Sequence, residues 1–250
     1  MRSLTVMAWD TATPWCVVAL ERFEADGSSV SLGRFENREA GTHSRILPST
    51  VAGLLQEAGL SAADLDLIAV GRGPGSFTGL RTGLALAKGL ALGASIPLLG
   101  LSTLDLIASS VLKEGGGRRT LAAPLIDARH QQIFTGLYEA AGGDSEAPAR
   151  ALIEPLPLSP AELPGMLLEA SGGREVFMAG PALDLAEQTF PDGLPPPLAA
   201  ALSPAPPSAF ELTRLARFIW LNDAKALEKY PAIPMYIRQP DIRKSGIAMR

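Results

Sequence analysis

The sequence predicts an α/β protein made of two similar lobes with a cleft between them. Three observations carry that expectation. An apolar run at 65–70, a glycine-rich stretch at 71–83 and a helical repeat at 84–92 read as strand, turn and helix. A unit of strand, acidic turn and strand occurs twice, once around Asp10 and once around Asp127. The 250 residues are 47% hydrophobic and 19% charged, enough apolar matter for a large core.

Composition narrows the function classes. The formal net charge is −4 and the isoelectric point about 5.3. Free-standing nucleic-acid binders are usually basic, because phosphate contacts supply most of their affinity. Any RNA is therefore expected to meet this chain through another subunit. Cys16 is the single cysteine, so an internal disulfide is impossible and a reducing compartment, the cytoplasm, is expected. The first twenty residues are broken by Asp10 and read as a strand, and no apolar run is long enough to span a membrane.

Taken in order, 4–9, 15–21 and 29–34 read as an antiparallel meander turning at 10–14 and 26–27. Thr42 or Ser44 is expected to cap a helix to about 58, with Ile46, Leu47, Val51, Leu54 and Leu55 on its apolar face. The strand, glycine turn and helix follow, with Ser76 or Thr78 as N-cap. A strand at 96–99, a helix at 102–112 and a flexible basic turn at 115–119 come next. Strands at 121–126 and 133–138 flank Asp127-Ala128-Arg129-His130, and a mobile turn is expected at 142–149. Beyond it lie a strand at 152–158, a helix at 160–170 capped by Ser159, a strand at 175–179 and a helix at 183–189. Proline dominates 191–207, which reads as an extended connection. Ser208 and Glu211 read as a capping box for a helix to about 226. The lobes are expected at 1–101 plus 208–228 and at 102–207, with 229–250 as an extended tail.

The stretch Gly71-Arg72-Gly73-Pro74-Gly75-Ser76-Phe77-Thr78-Gly79-Leu80-Arg81-Thr82-Gly83 admits three readings: a phosphate seated on the helix start, close packing against a second helix, or a sharp strand-to-helix turn. It lacks the Gly-Lys-Ser/Thr of a P-loop. Asp10, beside Thr11 and Thr13, stands where a carboxylate holds magnesium and hydroxyls hold phosphate, or where an Asx turn closes a hairpin. His43 has Ile46 and Leu47 at the positions a helical metal pair would need, so it reads as a capping or packing histidine. Asp127 and Arg129 either face the cleft or pair with each other.

Several stretches resemble one family, TsaB (YeaZ). They are Trp9-Asp10-Thr11-Ala12-Thr13, Thr42-His43-Ser44-Arg45-Ile46-Leu47-Pro48, Gly73 to Arg81, Asp127-Ala128-Arg129 and Pro234-Met235-Tyr236-Ile237-Arg238. The resemblance runs from about residue 4 to 240. It implies a fold of the actin, Hsp70 and sugar-kinase (ASKHA) type: two RNase H-like lobes, each a mixed sheet with flanking helices. A TsaB-like protein pairs with its paralogue TsaD, and the ATPase TsaE joins them. The assembly transfers a threonylcarbamoyl group from threonylcarbamoyl-AMP to N6 of adenosine 37 in tRNAs reading codons that start with A. The implied role is that of a scaffold without catalytic residues or a cofactor of its own, homodimeric when alone, with a nucleotide at the TsaD boundary left open.

Two departures from active relatives agree with that role. The phosphate turn of active kinases carries glycine where this chain has Ala12, so Asp10, Thr11 and Thr13 look vestigial. The TsaD-type histidine pair is missing, because Leu47 follows His43 by four residues. The resemblance favours helix-on-helix packing for the glycine stretch. The expected partner face is Ile46, Leu47, Val51 and Leu54 with Leu80, Gly83, Leu84 and Ala87, the seed of a four-helix bundle. The alternatives are an ATP- and magnesium-dependent phosphotransferase using Asp10 and Thr13, and a metallopeptidase, for which no His-Glu-x-x-His exists.

Overall fold

The computed structural model describes residues 2–39, 41–114, 120–142, 146–188, 190, 193–200 and 207–237. The chain begins with β1 (Leu4–Asp10), β2 (Trp15–Phe23) and β3 (Ser29–Arg38), an antiparallel meander. α1 (His43–Glu57), β4 (Leu67–Gly71), α2 (Phe77–Ala94) and β5 (Leu98–Leu101) complete a first sheet of order β3-β2-β1-β4-β5. β1 pairs with β4, and β4 with β5, in parallel. β1 is buried along its whole length because both faces of the sheet are covered.

Side-chain alternation sorts the two faces. Met7 and Trp9 point to α1 and α2, together with Val18, Leu47, Val51, Ile68 and Leu84. Leu4, Val6 and Ala8 point the other way, onto Leu212, Leu215, Ala216 and Ile219 of a helix from far along the chain.

After α3 (Thr103–Glu114) come β6 (Leu121–Pro124), β7 (Ile126–Arg129), β8 (Gln132–Glu139), β9 (Arg150–Leu158), α4 (Leu163–Ser171), β10 (Val176–Ala179), α5 (Leu183–Glu187) and β11 (Leu198–Ala200). β6 and β7 are one line of strand broken at Leu125, and both pair antiparallel with β8. The second sheet therefore reads β11-β10-(β6, β7)-β8-β9, which repeats the plan of the first. Each lobe is RNase H-like, and the protein is the α/β, mixed-sheet, two-lobed fold the sequence predicts. Leu121, Ala123, Ile133 and Val176 face α4 and α5, while Ala122, Ile126 and Phe134 face α3.

α6 (Ala209–Asn222) and α7 (Ala226–Lys229) close the order. α6 returns to the first sheet and meets α3 through a buried network. Arg214 is 3% exposed and its Nε donates to Glu211 Oε2 at 2.8 Å. Arg214 also reaches Glu146 of the second lobe at 3.2 Å, and Lys113 of α3 lies 3.5 Å from Glu211.

Several boundaries differ from the sequence reading. Residues 160–162 form a turn, and α4 starts at Leu163 with Pro164 in its first turn; Ser159 instead bonds the Glu162 carboxylate. The Ser208 hydroxyl accepts from Glu211 N at 3.2 Å, but the Glu211 carboxylate is spent on Arg214, so the box is half formed. The proline-rich connection contains β11. The helix expected to reach 226 ends at Asn222, with α7 separate. The basic turn at 115–119 and the tail beyond 237 lie outside the described residues, as does part of the turn at 142–149. Residues 230–237 cross back between the lobes. Gly100 N donates to Tyr230 O at 2.8 Å, and Met235 N to Arg72 O at 2.7 Å.

Removing one partner of a buried ion pair leaves an uncompensated charge, whereas removing both does not. Arg214→Ala is expected to lower unfolding free energy by about 3 kcal/mol. Arg214→Ala combined with Glu211→Ala should lose clearly less than the two single variants sum to, as read by urea titration of all three.

Candidate functional site

Asp10 ends β1 and is fully buried. Its Oδ1 accepts from Ala12 N at 2.7 Å, the Asx turn, and its Oδ2 accepts from Thr103 Oγ1 at 2.6 Å. Burial pushes the carboxyl up to about 6, against these two hydrogen bonds, which pull it down. Gly71, at the end of the neighbouring β4, is what makes room: a Cβ there would overlap the Asp10 carboxylate.

The glycine stretch folds down onto this turn. Gly75 has φ +156, and a Cβ on it would run into Ala12 O. Ser76 N donates to Ala12 O at 2.6 Å, and the Ser76 hydroxyl caps α2 by accepting from Gly79 N at 3.3 Å. One turn on, Thr11 Oγ1 donates to Gly79 O at 2.8 Å, and a Cβ at Gly79 would strike Thr11 O. Trp9 Nε1 donates to Gly83 O at 3.0 Å. Of the amides at the start of α2, Ser76 N is thus taken by the chain's own Ala12 carbonyl and Gly79 N by the Ser76 hydroxyl. Both Asp10 oxygens are spent internally and neither Asp10 nor Thr11 lines the cleft, so this turn does not fit a magnesium-bound nucleotide. Gly79 and Gly83 serve a close approach within the subunit.

The cleft itself measures about 690 Å³. Thr13, His43 and Ser76 line one wall, and Asp127, Arg129 and Phe134 of the second lobe the other. Asp127 and Arg129 both face it and pair with each other, Arg129 N donating to Asp127 Oδ1 at 2.7 Å. Arg129, His130 and Gln131 adopt φ of 63, 51 and 57, a left-handed run that glycine would favour. His43 is buried at the start of α1, its Nε2 3.4 Å from Pro14 O, beside buried Leu47. Arg81 lies with its guanidinium 3.9 Å above the exposed Phe77 ring, which in turn tilts against Tyr236 at 5.9 Å.

The residues expected at the partner face lie largely inside the subunit. Leu47, Val51, Leu54, Leu80, Gly83, Leu84 and Ala87 are buried under the first lobe, and Ile46 is half-buried against the same core. These residues hold α1 and α2 to their own sheet. The outward stripes are Arg45, Ser49, Ala52 and Gln56 on α1, and Arg81, Ala85, Gly89, Leu92 and Gly93 on α2. A Cβ on Gly89 or Gly93 would meet nothing, and Leu92 is 85% exposed. Both stripes were legible in helical spacing, one residue out of phase with the apolar one, but apolar character alone pointed inward.

Comparison with known proteins follows this geometry. The family described as TsaD: tRNA N6-adenosine threonylcarbamoyltransferase matches residues 37–178, more than half of the chain. An uncharacterised protein of Mycobacterium tuberculosis is 30% identical over 97% of this chain and 96% of its own. The solved structure described as YeaZ from Pseudomonas aeruginosa superposes with a TM-score of 0.71 at 27% identity, covering 93% of this chain and 99% of that one. The chain belongs to the TsaB (YeaZ) branch of this family. The tRNA threonylcarbamoyladenosine biosynthesis protein TsaB of Escherichia coli is 42% identical over 54% of this chain, and that of Haemophilus influenzae 35%. The chain spans about half the length of these two relatives, 55% and 53%. Among the described residues of this family member, no helix is long and apolar enough to cross a membrane.

Two outcomes follow from the closed turn. Gly79→Ala is expected to cost about 2 kcal/mol by overpacking, whereas Gly89→Ala, in open space, should add about 0.5–1 kcal/mol; thermal and urea unfolding of both variants checks the pair. Asp10 binds its proton more tightly folded than unfolded. Asp10's own contribution to stability is therefore expected to fall by on the order of 3 kcal/mol as pH rises from about 4 to 6, and to flatten above. Asp10→Asn should remove that slope in urea titrations across the same range.

Proposed function

We propose that this chain is a scaffold subunit of tRNA threonylcarbamoyladenosine biosynthesis, acting in the cytoplasm without catalytic residues of its own. It pairs with a TsaD-type subunit through the outward faces of α1 and α2. The reading is supported above all by exposed small residues on two packed helices, Ala85, Gly89 and Gly93 with Leu92 on α2, and Ser49 and Ala52 on α1. Two neighbouring helices with small residues outward accept two more helices at close range, and Leu92 supplies an apolar anchor. An isolated subunit would cover the same patch with a second copy. The closed Asp10 turn supports a role away from phosphoryl chemistry. The TsaE-type ATPase and tRNA join through the assembled complex, which fits the acidic net charge of −4.

Leu92→Asp and Gly89→Leu are expected to abolish association with the TsaD-type subunit from the same organism, with an unchanged circular dichroism spectrum. Light scattering behind size exclusion checks this on the chain alone and in the mixture. Retained heterodimers in both variants would sink the placement of the interface; a wild-type chain that ignores the TsaD-type subunit would sink the scaffold role.

A further inference from the structure

A second pocket, of about 420 Å³, opens where the two lobes meet the returning tail. Arg72, directly after β4, and Ser102 and Asp105, at the start of α3, come from one side. Tyr138 of β8 and Glu154 of β9 come from the second lobe, and Met235 of the tail closes an edge. The tail is held there by the bond from Met235 N to Arg72 O at 2.7 Å.

Two polar groups in this pocket lack a well-formed hydrogen bond. Tyr138 is 1% exposed, and its hydroxyl meets the Asp105 carboxyl without completing a hydrogen bond of good geometry. The Arg72 guanidinium makes no hydrogen bond among the described residues, and its Nε is shut off from solvent. Asp105 and Tyr230 act on it through space only, and burial pulls its pKa below the ordinary guanidinium range. Burial likewise holds the Asp105 carboxyl above the ordinary carboxylate range, ahead of its local hydrogen bonds. Buried donors and acceptors are normally paired, and leaving them unpaired is costly. These residues sit on four elements from both lobes, so the cluster is held by the fold and not by one loop.

We infer that this pocket binds a small zwitterion of the α-amino acid class, with its carboxylate on Arg72 and Tyr138 and its ammonium toward Asp105 and Glu154. The charges select this class. A plain anion on Arg72 would lie beside two carboxyl groups, and a plain cation on the carboxyl groups would lie beside the guanidinium. Only a ligand carrying both signs offsets both ends. Arginine favours a carboxylate because its planar fork can bond both oxygens. The volume suits a ligand of this size.

The test uses the purified full chain alone, titrated with each common α-amino acid in turn by calorimetry and by saturation-transfer NMR. Saturable binding of at least one is expected. The N-acetyl and carboxamide derivatives of the best binder, each lacking one charge, should bind about tenfold weaker or less. Tyr138→Phe removes one oxygen, whose partner Asp105 keeps its bond to Ser102, and Glu154→Gln only an exposed charge, so both should fold normally and bind about tenfold weaker. No saturable binding by any amino acid, equal binding of the one-charge derivatives, or full binding in both variants would each overturn the inference and leave the pocket to water. The assay does not involve α1 or α2, so its failure and that of the scaffold reading are distinguishable.

Discussion

The contact between the Asp10–Thr13 turn and the glycine-rich start of α2 is the constraint on which the rest of the first lobe depends. Ser76 N on Ala12 O, Thr11 Oγ1 on Gly79 O and Trp9 Nε1 on Gly83 O tie successive turns of one helix to the end of one strand. The glycines at 75, 79 and 83 make these approaches possible, since a Cβ there would meet Ala12 O, Thr11 O and Thr11 Oγ1. Asp10 extends the tie to α3 through Thr103, and so sets the first sheet against the element that leads into the second lobe. A buried carboxylate accepting two hydrogen bonds is expensive to keep and more expensive to break, which makes the junction stiff.

That junction leaves a cleft above a turn that α2 packs from below. The two lobes repeat one plan, and the equivalent turns, at Asp10 and Asp127, still face each other across the gap. In the first lobe the turn is filled from below by α2. In the second it stands open, with Asp127 and Arg129 joined to each other and three residues held left-handed. The same ancestral-looking geometry therefore carries two different local outcomes, decided by which side chains are absent at 75, 79 and 83.

The fold was largely legible in the sequence, because it rests on short-range signals: the alternation in β1, the turn residues at 10–14, the cap at Ser76, the repeat of strand, acidic turn and strand. What failed had a long-range cause. Nothing local to Asp10 announces Thr103, 93 positions away, as its partner. Three prolines in a row hide β11, whose pairing is decided by β10. Glu211 satisfies a capping pattern, but a buried arginine three residues on claims its carboxylate. Arg72 sits in the glycine stretch and Tyr138 in a strand, and neither place announces the other; only the meeting of two lobes and a tail makes them line one pocket.

The partner face shows the same limit in its sharpest form. Leu80, Leu84, Ala87 and Ala91 repeat at helical spacing, and so do Arg81, Ala85, Gly89 and Leu92. Periodicity states that α2 has two faces but not which one the sheet takes. The sheet takes the larger apolar side chains, since burial of apolar area drives the choice, and Gly79 and Gly83 go with them because the turn beneath leaves no room for a methyl group. Gly89 and Gly93 then fall outside, where no contact within the subunit asks for glycine. A helix interior pays for such residues in stability. Their place beside exposed Leu92 is reasonable physically if another helix comes as close on the outside as Thr11 does within.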